Sequence, residues 1–208
     1  MANNKKIIYT IGREFGSGGK DVGEKLAARL GIPFYDKELL SRASAESGLC
    51  EEIFRLQDEK PTSSFLYSLV TDTYSFNNYH GNTYLDMPLS QKVFLAQFDT
   101  IKRIALEGSC VIVGRCADYA LSEETNAIHA FIYASKEYRI KRVAENLNMT
   151  ESKAKDLINR TDKQRASYYN FYTNKKWGDS RSYDLALNSE KLGIDGCVEM
   201  LLKFSEMN

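Results

Sequence analysis

The segment KIIYTIGREFGSGGKDVGEKLAARLG, residues 6–31, sets the pattern for the rest of the chain. Residues 6–11 are rich in β-branched and aromatic side chains, which favours a buried strand. Apolar side chains then recur at helical spacing until Gly31, which can end a helix, and Pro33, which cannot continue one. These helical positions are Val22, Leu26, Ala27 and Leu30. The segment therefore predicts a strand, a glycine-rich turn and a helix in succession.

The turn between this strand and this helix has the composition of a phosphate-binding loop. Glycines let backbone N–H groups turn towards an anion, and the positive end of the following helix dipole adds to the attraction. A lysine after the glycines supplies a mobile positive charge. The sequence predicts that phosphates bind at Gly16, Ser17, Gly18, Gly19, Lys20 and Asp21.

The turn departs from the usual phosphate-loop motif, G-x-x-x-x-G-K-[ST], and two alignments with that motif are open. If Lys20 is the motif lysine, Glu14 takes the first glycine position and Asp21 replaces the hydroxyl residue that holds magnesium. Moving the frame by one residue fits the glycines better, but it places Gly19 at the lysine position. The two acidic residues also leave open a third interpretation, a glycine-rich turn that binds no ligand.

Length and composition predict one globular domain without a strong overall field. The chain has 208 residues and 43% hydrophobic content, and its 28 basic residues balance 28 acidic ones. It can bury a core, and neither a nucleic acid polymer nor a membrane is an expected partner. No apolar run approaches the roughly 18 residues of a membrane-spanning helix, which favours a cytoplasmic protein. The cysteine spacing favours buried reduced thiols over a zinc site, and the oligomeric state is left open.

Strands and helices alternate along most of the chain. A short strand at 32–35 precedes a helix that Asp36 can cap. Further strands are predicted at 110–113, 128–133 and 183–187, and a closing helix follows the last of them. This order predicts an α/β fold, a parallel sheet with helices on both faces.

Residues 50–92 interrupt the alternation and predict an insertion over the sheet edge. Aromatic side chains lie there among Ser, Thr, Asn and Asp, with Pro61 and Pro88 as interruptions. The aromatic residues are Phe65, Tyr67, Tyr74, Phe76, Tyr79 and Tyr84. Helical periodicity returns at 94–105, where the alternation of strands and helices resumes.

Polar residues follow the predicted strands at the edge where parallel sheets bind ligands. Asp36 and Lys37 follow the second strand, and Gly114, Arg115 and Asp118 follow the third. The guanidinium of Arg115 is a planar fork that suits a phosphate, and the preceding glycine allows a ligand to come close. The alternative is a local salt bridge between Arg115 and a carboxylate such as Asp118.

The segment 160–181 combines basic and aromatic side chains, with Arg160 and Arg165 near its start. A transferring phosphoryl group needs cationic stabilisation away from water, which often comes from a segment that closes over it. The pattern therefore predicts a lid. A solvated helix face, a packed hairpin and a dimer contact are the alternatives.

Four segments together resemble the cytidylate-kinase-like family, a branch of the nucleoside monophosphate kinases. They are IGREFGSGGKDVGEKLAARLGIPFYDKELL, CVIVGRCADYAL, FIYASKEYRIKRV and YYNFYTNKKWGDSRSYDLALNS. The resemblance covers nearly the whole chain and implies a single P-loop kinase domain. Its core would comprise residues 1–35, 107–156 and 182–208, with a monophosphate-binding insertion at 36–106 and a lid at 157–181.

The resemblance also implies roles for individual residues. Residues 16–20 would cradle the phosphates of ATP, and Mg²⁺ would accompany ATP, with its protein ligand open between Asp21 and Asp36. Arg115 would hold the acceptor phosphate. The implied catalytic residues are Lys20, Arg115, Arg160 and Arg165, and the implied acceptor-binding residues are Asp36, Lys37, Arg115 and Asp118.

The function implied by the resemblance is transfer of the ATP γ-phosphoryl group to a nucleoside monophosphate, with CMP or dCMP as the acceptor. Nucleotide substrates are the expected partners. One alternative is a nucleotide-binding regulatory protein without turnover, because the phosphate loop is altered and Val113 stands where true cytidylate kinases have an aspartate. The other is a kinase of another small metabolite, because the insertion at 50–92 has no recognisable base-reading pattern.

Overall fold

The central strand of the molecule is β1 (Ile8–Arg13), which leads directly into the glycine-rich turn. In the computed structural model, which describes residues 6–59 and 87–207, β1 pairs in parallel with a strand on each side. The sheet has five strands in the order β2-β3-β1-β4-β5, where β2 is Phe34–Tyr35, β3 is Cys110–Val113, β4 is Ala127–Tyr133 and β5 is Leu185–Asn188. All neighbouring strands are parallel, so the predicted α/β fold is confirmed.

Helices fill the connections between the strands. They are α1 (Gly19–Leu30), α2 (Glu38–Ser47), α3 (Glu51–Gln57), α4 (Leu89–Glu107), α5 (Ala117–Ala120), α6 (Lys136–Asn146), α7 (Glu151–Thr173) and α8 (Ser189–Met207). Helix α8 is kinked at Gly193. Among the helices of the described residues, none combines the length and the apolar character that crossing a membrane requires.

Different helices cover the two faces of the sheet. Successive strand residues point to opposite faces, and β1 follows this rule. Tyr9 and Ile11 belong to the apolar cluster that contains Leu26 of α1 and Val198 of α8, whereas Ile8 packs in the cluster formed with α2 and α4. Burial of each large apolar side chain contributes about 1.5–3 kcal/mol. Because helices pack against both faces of the sheet, β1 is held in place, and so is the turn at its carboxyl end.

Helix α7 runs through the predicted boundary between core and lid at residue 157. It begins after Thr150, whose hydroxyl caps the helix by accepting a hydrogen bond from Lys153 N. Its 23 residues span roughly 34 Å at about 1.5 Å per residue. The first part packs against α6, and the last part carries Tyr168 and Tyr169, each 4% exposed.

An aromatic contact joins the last part of α7 to α4. The rings of Phe94 and Tyr172 stack with their centroids 4.0 Å apart and an angle of 8° between their planes. Tyr168 donates a hydrogen bond to Gln97 Oε1 at 3.0 Å. The aromatic side chains at this end of the predicted lid are thus packed against α4. Closure of residues 157–181 over a substrate stays a prediction.

Two local predictions are wrong. Asp36 does not cap α2, whose N-cap is Lys37 without a side-chain hydrogen bond, because the Asp36 carboxylate binds Arg115 instead. Cys50, the residue before α3, is exposed and not buried as predicted. The other three cysteines are buried free thiols, as predicted. The aromatic residues at 65–84 lie outside the described residues.

Buried hydroxyl groups attach the glycine-rich turn to the sheet. Ser17 Oγ lies 2.9 Å from Glu14 O and 3.0 Å from Ile132 O, and Ser189 donates a hydrogen bond to Ser17 O at 2.6 Å. Both serine residues are fully buried. Ser17 N also donates a hydrogen bond to Glu14 O at 3.3 Å, so both the hydroxyl and the backbone of Ser17 serve the fold.

We expect Gly16→Ala to destabilise the protein more than Gly31→Ala. The φ angles of +82° and +64° are left-handed, so an alanine at either position costs about 1–2 kcal/mol of backbone strain. A Cβ at Gly16 would also lie 2.7 Å from Val143 Cγ2, whereas a Cβ at Gly31 meets nothing within 4 Å. Chemical denaturation should therefore give Gly16→Ala an additional loss of roughly 1–3 kcal/mol in the free energy of unfolding. Equal losses of unfolding free energy in the two variants would mean that the turn is not packed against α6.

Candidate active site

The glycine-rich turn presents unpaired backbone amides at the start of α1. No side chain caps the helix, and its first hydrogen bond runs from Val22 N to Gly18 O. The amides of Gly19, Lys20 and Asp21 therefore donate to no group in residues 6–59 and 87–207. An uncapped helix start of this kind attracts anions. The backbone thus has the form that the predicted phosphate cradle requires.

The two charged side chains of the turn are engaged by other side chains. Lys20 is about half exposed, and its Nζ lies 3.3 Å from Glu24 Oε1 and 3.8 Å from Asp36 Oδ2. Although partial burial opposes its charge, these carboxylates raise the pKa of Lys20. Asp21 Oδ2 lies 2.7 Å from Arg142 Nη2. The Lys20 ammonium, which the sequence predicted to bind phosphates, therefore lies along the outer side of α1.

Arg13, the last residue of β1, fills the space over the turn. A Cβ at Gly19 would lie 2.5 Å from Arg13 Cβ, and a Cβ at Gly114 would overlap Arg13 Nη1. The Arg13 side chain is 10% exposed and donates a hydrogen bond to Glu59 Oε1 at 2.7 Å. It therefore crosses the carboxyl edge of the sheet, from the turn after β1 to the turn after β3.

Arg115 lies at the same edge, and its fork is filled by a carboxylate. Its Nε and Nη2 donate to Asp58 Oδ1 and Oδ2 at 3.0 and 2.9 Å, and its Nη1 donates to Asp36 Oδ1 at 3.1 Å. The side chain is only 2% exposed. Arg115 has a left-handed φ of +52°, a strain of about 1–3 kcal/mol for a residue other than glycine. The turn after β3 is thus bent to direct this guanidinium inwards.

Glu59 joins two further arginines in the same cleft. Its Oε1 accepts from Arg13 Nη1, and its Oε2 accepts from Arg165 Nε at 3.0 Å. Although burial opposes ionisation, these two cations hold the pKa of Glu59 well below its usual range. Burial raises the pKa of the neighbouring Asp58 despite the charge of Arg115, and burial lowers the pKa of Arg165. Ionised Glu59 is therefore the main counter-charge for Arg13 and Arg165.

The cleft around these groups is nearly full. Arg13, Arg115 and Arg165 line it together with Glu59, and its aromatic wall is formed by Tyr168, Tyr169, Trp177 and Tyr183. The free space is about 20 Å³, which has room for roughly one water molecule. A phosphate group can enter only where the carboxylates of Asp58 and Glu59 now lie.

The structure brings together some of the predicted site residues and separates others. Arg115, Arg165 and Asp36 meet in or beside the cleft. Asp118 lines the cleft as well, but it accepts a hydrogen bond from Tyr169 at 2.6 Å instead of pairing with Arg115, and burial raises its pKa. Lys37 and Arg160 are exposed and form no ion pair with the residues that the structure describes. All of these roles stay predictions.

Sequence reasoning missed five charged residues of this region, Arg13, Asp58, Glu59, Arg139 and Arg142. One of them carried a usable signal, because Arg13 lies two residues after the predicted strand at 6–11 and shortly before the glycines. Asp58 and Glu59 reach the cleft from the end of α3, more than 40 residues away from the first strand, and no spacing in the sequence indicates that contact.

Arg139 of α6 explains an acidic residue that does not fit the phosphate-loop motif. Its Nε lies 3.3 Å from Glu14 Oε2, and its Nη1 lies 2.6 Å from Asp162 Oδ2 and 3.1 Å from Phe15 O. Asp162 in turn accepts a hydrogen bond from Phe15 N at 2.8 Å. Burial raises the pKa of Glu14, partly offset by its backbone and arginine contacts. Glu14 is therefore an anchor of the turn.

A magnesium ion would find one fitting carboxylate here. Within the described residues, no three side chains of the metal-binding types are grouped together. Mg²⁺ that accompanies a nucleotide needs only one or two carboxylates, because phosphates and waters complete its shell. Asp36 fits better than Asp21, because Asp36 lies between Lys20 and Arg115, whereas Asp21 is exposed and paired with Arg142.

Comparison with known proteins identifies the family. A model of the cytidylate kinase-like family matches residues 8–191. The chain belongs to the cytidylate kinase-like family. The matched range contains the glycine-rich turn, the cleft at Arg115 and all of α7, so the resemblance found in the sequence is confirmed. No curated protein matches the chain.

Two solved structures have folds similar to that of this chain. An uncharacterised protein from Eubacterium ventriosum is 33% identical, with a TM-score of 0.72 over 98% of this chain and 100% of that chain. A shikimate kinase from Bacteroides thetaiotaomicron gives a TM-score of 0.54 at 13% identity, over 96% of this chain and 98% of that chain. The second likeness is one of fold alone.

We expect Glu59→Gln to lower the free energy of unfolding at neutral pH by about 3 kcal/mol, because it leaves Arg13 and Arg165 without their buried counter-charge. The pKa of Glu59 is lower in the folded protein than in the unfolded chain. Its charge therefore stabilises the fold above the unfolded pKa of about 4.3, and this contribution is lost as the pH falls through the folded pKa. Urea denaturation should show the difference from the wild type shrinking only below about pH 4.

Glu51→Gln is the matched control, because Glu51 pairs with Arg55 at the surface. Its stability should differ little from that of the wild type at any pH. Inorganic pyrophosphate should stabilise Glu59→Gln more than the wild type, since it takes over the freed guanidinium groups. A Glu59→Gln variant that is as stable as the wild type at pH 7 would contradict this account of the cleft.

Proposed function

We propose that the protein transfers the γ-phosphoryl group of ATP to a nucleoside monophosphate, with CMP and dCMP as the first acceptors to test. One observation carries the proposal: unpaired amides of α1 and a buried arginine cluster lie at the same edge of the sheet. A phosphoryl transfer needs such a pair of adjacent anion sites, one for the donor and one for the acceptor. Membership of the cytidylate kinase-like family supports the same class of reaction.

The donor site is the start of α1. The amides of Gly19, Lys20 and Asp21 and the dipole of the helix would hold the phosphates of ATP without any side-chain chemistry. The buried serines behind the turn keep those amides in position. Because the amides are fixed before the ligand arrives, they can stabilise charge without reorganising during the reaction.

The acceptor site is the fork of Arg115. Two parallel N–H groups that now bind both oxygens of Asp58 would bind two oxygens of the acceptor phosphate, since the two anions present similar geometry. Arg165 would add charge from α7. The attacking oxygen belongs to an ionised phosphate, so no general base is required. The aromatic wall of the cleft would exclude water that competes as an acceptor.

Mg²⁺, when bound with ATP, would supply positive charge that neutralises the charge developing on the phosphate oxygens. Asp36 is the residue that would hold it, and the Lys20 ammonium at 3.8 Å lies on the donor side of that carboxylate. Both assignments are part of the proposal.

A second candidate function is a nucleotide-binding regulator without turnover. It is favoured by the ion pairs of Asp58 and Glu59, which satisfy the arginines of the cleft from within the chain. A kinase of another small metabolite would use the same donor site at the start of α1 and the same arginines. These candidates differ in the product that they form.

The deciding experiment is an assay of ADP formation from ATP and Mg²⁺ with each common nucleoside monophosphate as acceptor. A phosphorylated product with CMP or dCMP supports the proposal as stated, and a product with another monophosphate would correct the acceptor. ATP binding by calorimetry without any product would favour the regulator. Product formation with a small metabolite that is not a nucleotide would favour the third candidate.

We expect Arg115→Lys to raise the KM for the acceptor roughly 30-fold, because it keeps one charge but loses charge-assisted hydrogen bonds worth about 2 kcal/mol. The KM for ATP should change less than about threefold, since the donor amides are untouched. Steady-state kinetics with each substrate varied in turn measures both values. Arg103→Lys is the matched control, because Arg103 pairs with Glu46 at the surface of α4.

Equal damage to both KM values in Arg115→Lys would contradict the assignment of the acceptor site. That outcome would indicate that Arg115 serves the fold through Asp36 and Asp58 and does not contact the acceptor.

A further inference from the structure

We propose that Arg13 supplies the cation that the motif lysine supplies in other phosphate loops, and that its guanidinium contacts the γ-phosphoryl group during transfer. This inference rests on the proposed function and deepens it. Phosphate loops ordinarily place a lysine on the β- and γ-phosphates. The question is which cation of this chain can reach that place.

Neither alignment of the motif places a lysine side chain over the turn, where it could contact the β- and γ-phosphates. In one alignment the lysine position is Gly19, where even a Cβ would lie 2.5 Å from Arg13 Cβ and 3.3 Å from Ile132 Cβ. In the other it is Lys20, which is about half exposed and pairs with Glu24, one turn further along α1. The space over the turn is closed to residue 19 because the stem of Arg13 already fills it.

The Arg13 side chain connects the two anion sites. Its Cβ lies against Gly19 at the start of α1, and its guanidinium reaches Gly114, the residue before Arg115. The γ-phosphoryl group must move between these two points when it passes from ATP to an acceptor. Among the arginines of the cleft, Arg13 belongs to β1, the strand that leads into the glycine-rich turn. The sheet itself therefore fixes its position.

The contacts of Arg13 indicate that it can hold an anionic oxygen at this place. Glu59 Oε1 lies 2.7 Å from Arg13 Nη1, and the other oxygen of the same carboxylate lies 3.0 Å from Arg165 Nε. Two guanidinium groups thus bind the two oxygens of one anion. A phosphoryl group presents its equatorial oxygens in a similar way.

The chemistry that this role requires is electrostatic. An oxygen of the acceptor phosphate forms a bond to the γ-phosphorus, the bond from the γ-phosphorus to the bridging oxygen breaks, and ADP leaves with the electron pair. Arg13 donates hydrogen bonds to the γ-oxygens throughout and exchanges no proton, because a guanidinium stays charged at any working pH. Its contribution is therefore largest in the transition state.

The test compares Arg13→Met, Arg13→Lys and Lys20→Ala with the wild type, and Arg29→Met is the matched control. Arg29 is a surface arginine of α1 that pairs with Glu199. Arg13→Met should lower kcat about 100-fold or more, the usual loss for one transition-state donor. Arg13→Lys restores a charge and should retain more of kcat than Arg13→Met, and Lys20→Ala should lose less than about tenfold. A larger loss in Lys20→Ala than in Arg13→Met would overturn the inference.

Calorimetry provides a measure that does not depend on turnover. Arg13→Met should weaken the binding of ATP about tenfold and leave the binding of ADP nearly unchanged, because ADP lacks the γ-phosphate that Arg13 contacts. Equal losses for ATP and ADP, or no loss for either, would overturn the inference. If the wild type forms no product with any acceptor, the proposed function fails, and the ATP and ADP affinities still decide the role of Arg13.

A folding defect in Arg13→Met is separated from this role by the double variant Arg13→Met with Glu59→Gln. The double variant removes both members of the ion pair, so no buried charge is left unpaired at that contact. Its melting temperature should lie above that of Glu59→Gln alone, because one of the two guanidinium groups left unpaired in Glu59→Gln is removed, while the binding of ATP stays weak. Recovery of ATP binding together with stability would overturn the inference.

Discussion

The candidate site depends on three guanidinium groups that are held largely out of water at one edge of the sheet. Withdrawing such charges from solvent costs several kcal/mol for each ion unless a nearby anion offsets the cost. Three carboxylates balance the three guanidinium groups in number: Asp36 and Asp58 both pair with Arg115, and Glu59 pairs with Arg13 and Arg165. The requirement for three negative charges holds for any occupant of the cleft. Phosphate groups satisfy it as well as carboxylates do, which supports the proposed binding of nucleotides.

The same charge logic explains the acidic residues of the phosphate loop. Glu14 and Asp21 would repel phosphates if they were free, but Arg139 and Arg142 of α6 neutralise them. Two arginines one helical turn apart on α6 therefore compensate for two departures from the usual motif. The loop keeps its amides and its helix dipole for a ligand, and the acids serve to fasten it to α6.

Local patterns in the sequence were enough to predict the sheet and its central turn. The strands are short apolar runs bounded by glycine, proline or polar residues, and the parallel order follows from their alternation with helices. Arg115 could be found because it comes directly after a buried strand. Asp36 was assigned to a helix cap because its long-range partner Arg115, 79 residues away, is invisible to local rules. Asp58 and Glu59 carry no local signal at all. The predicted end of the core at residue 156 lies within α7, and that boundary stays a prediction.

The placement of Asp58 and Glu59 side by side links the two halves of the site thermodynamically. Glu59 pairs with Arg13 beside the proposed donor site, and Asp58 pairs with Arg115 at the proposed acceptor site. Consecutive residues on one backbone are displaced together more easily than singly, so the ligand that displaces the pair from one arginine exposes the other. The free energy needed to displace the pair is then required only once for both ligands. Each ligand therefore increases the affinity of the protein for the other ligand by the same factor. In the proposed reaction, this coupling would favour the state in which donor and acceptor are bound together over the states with one ligand alone.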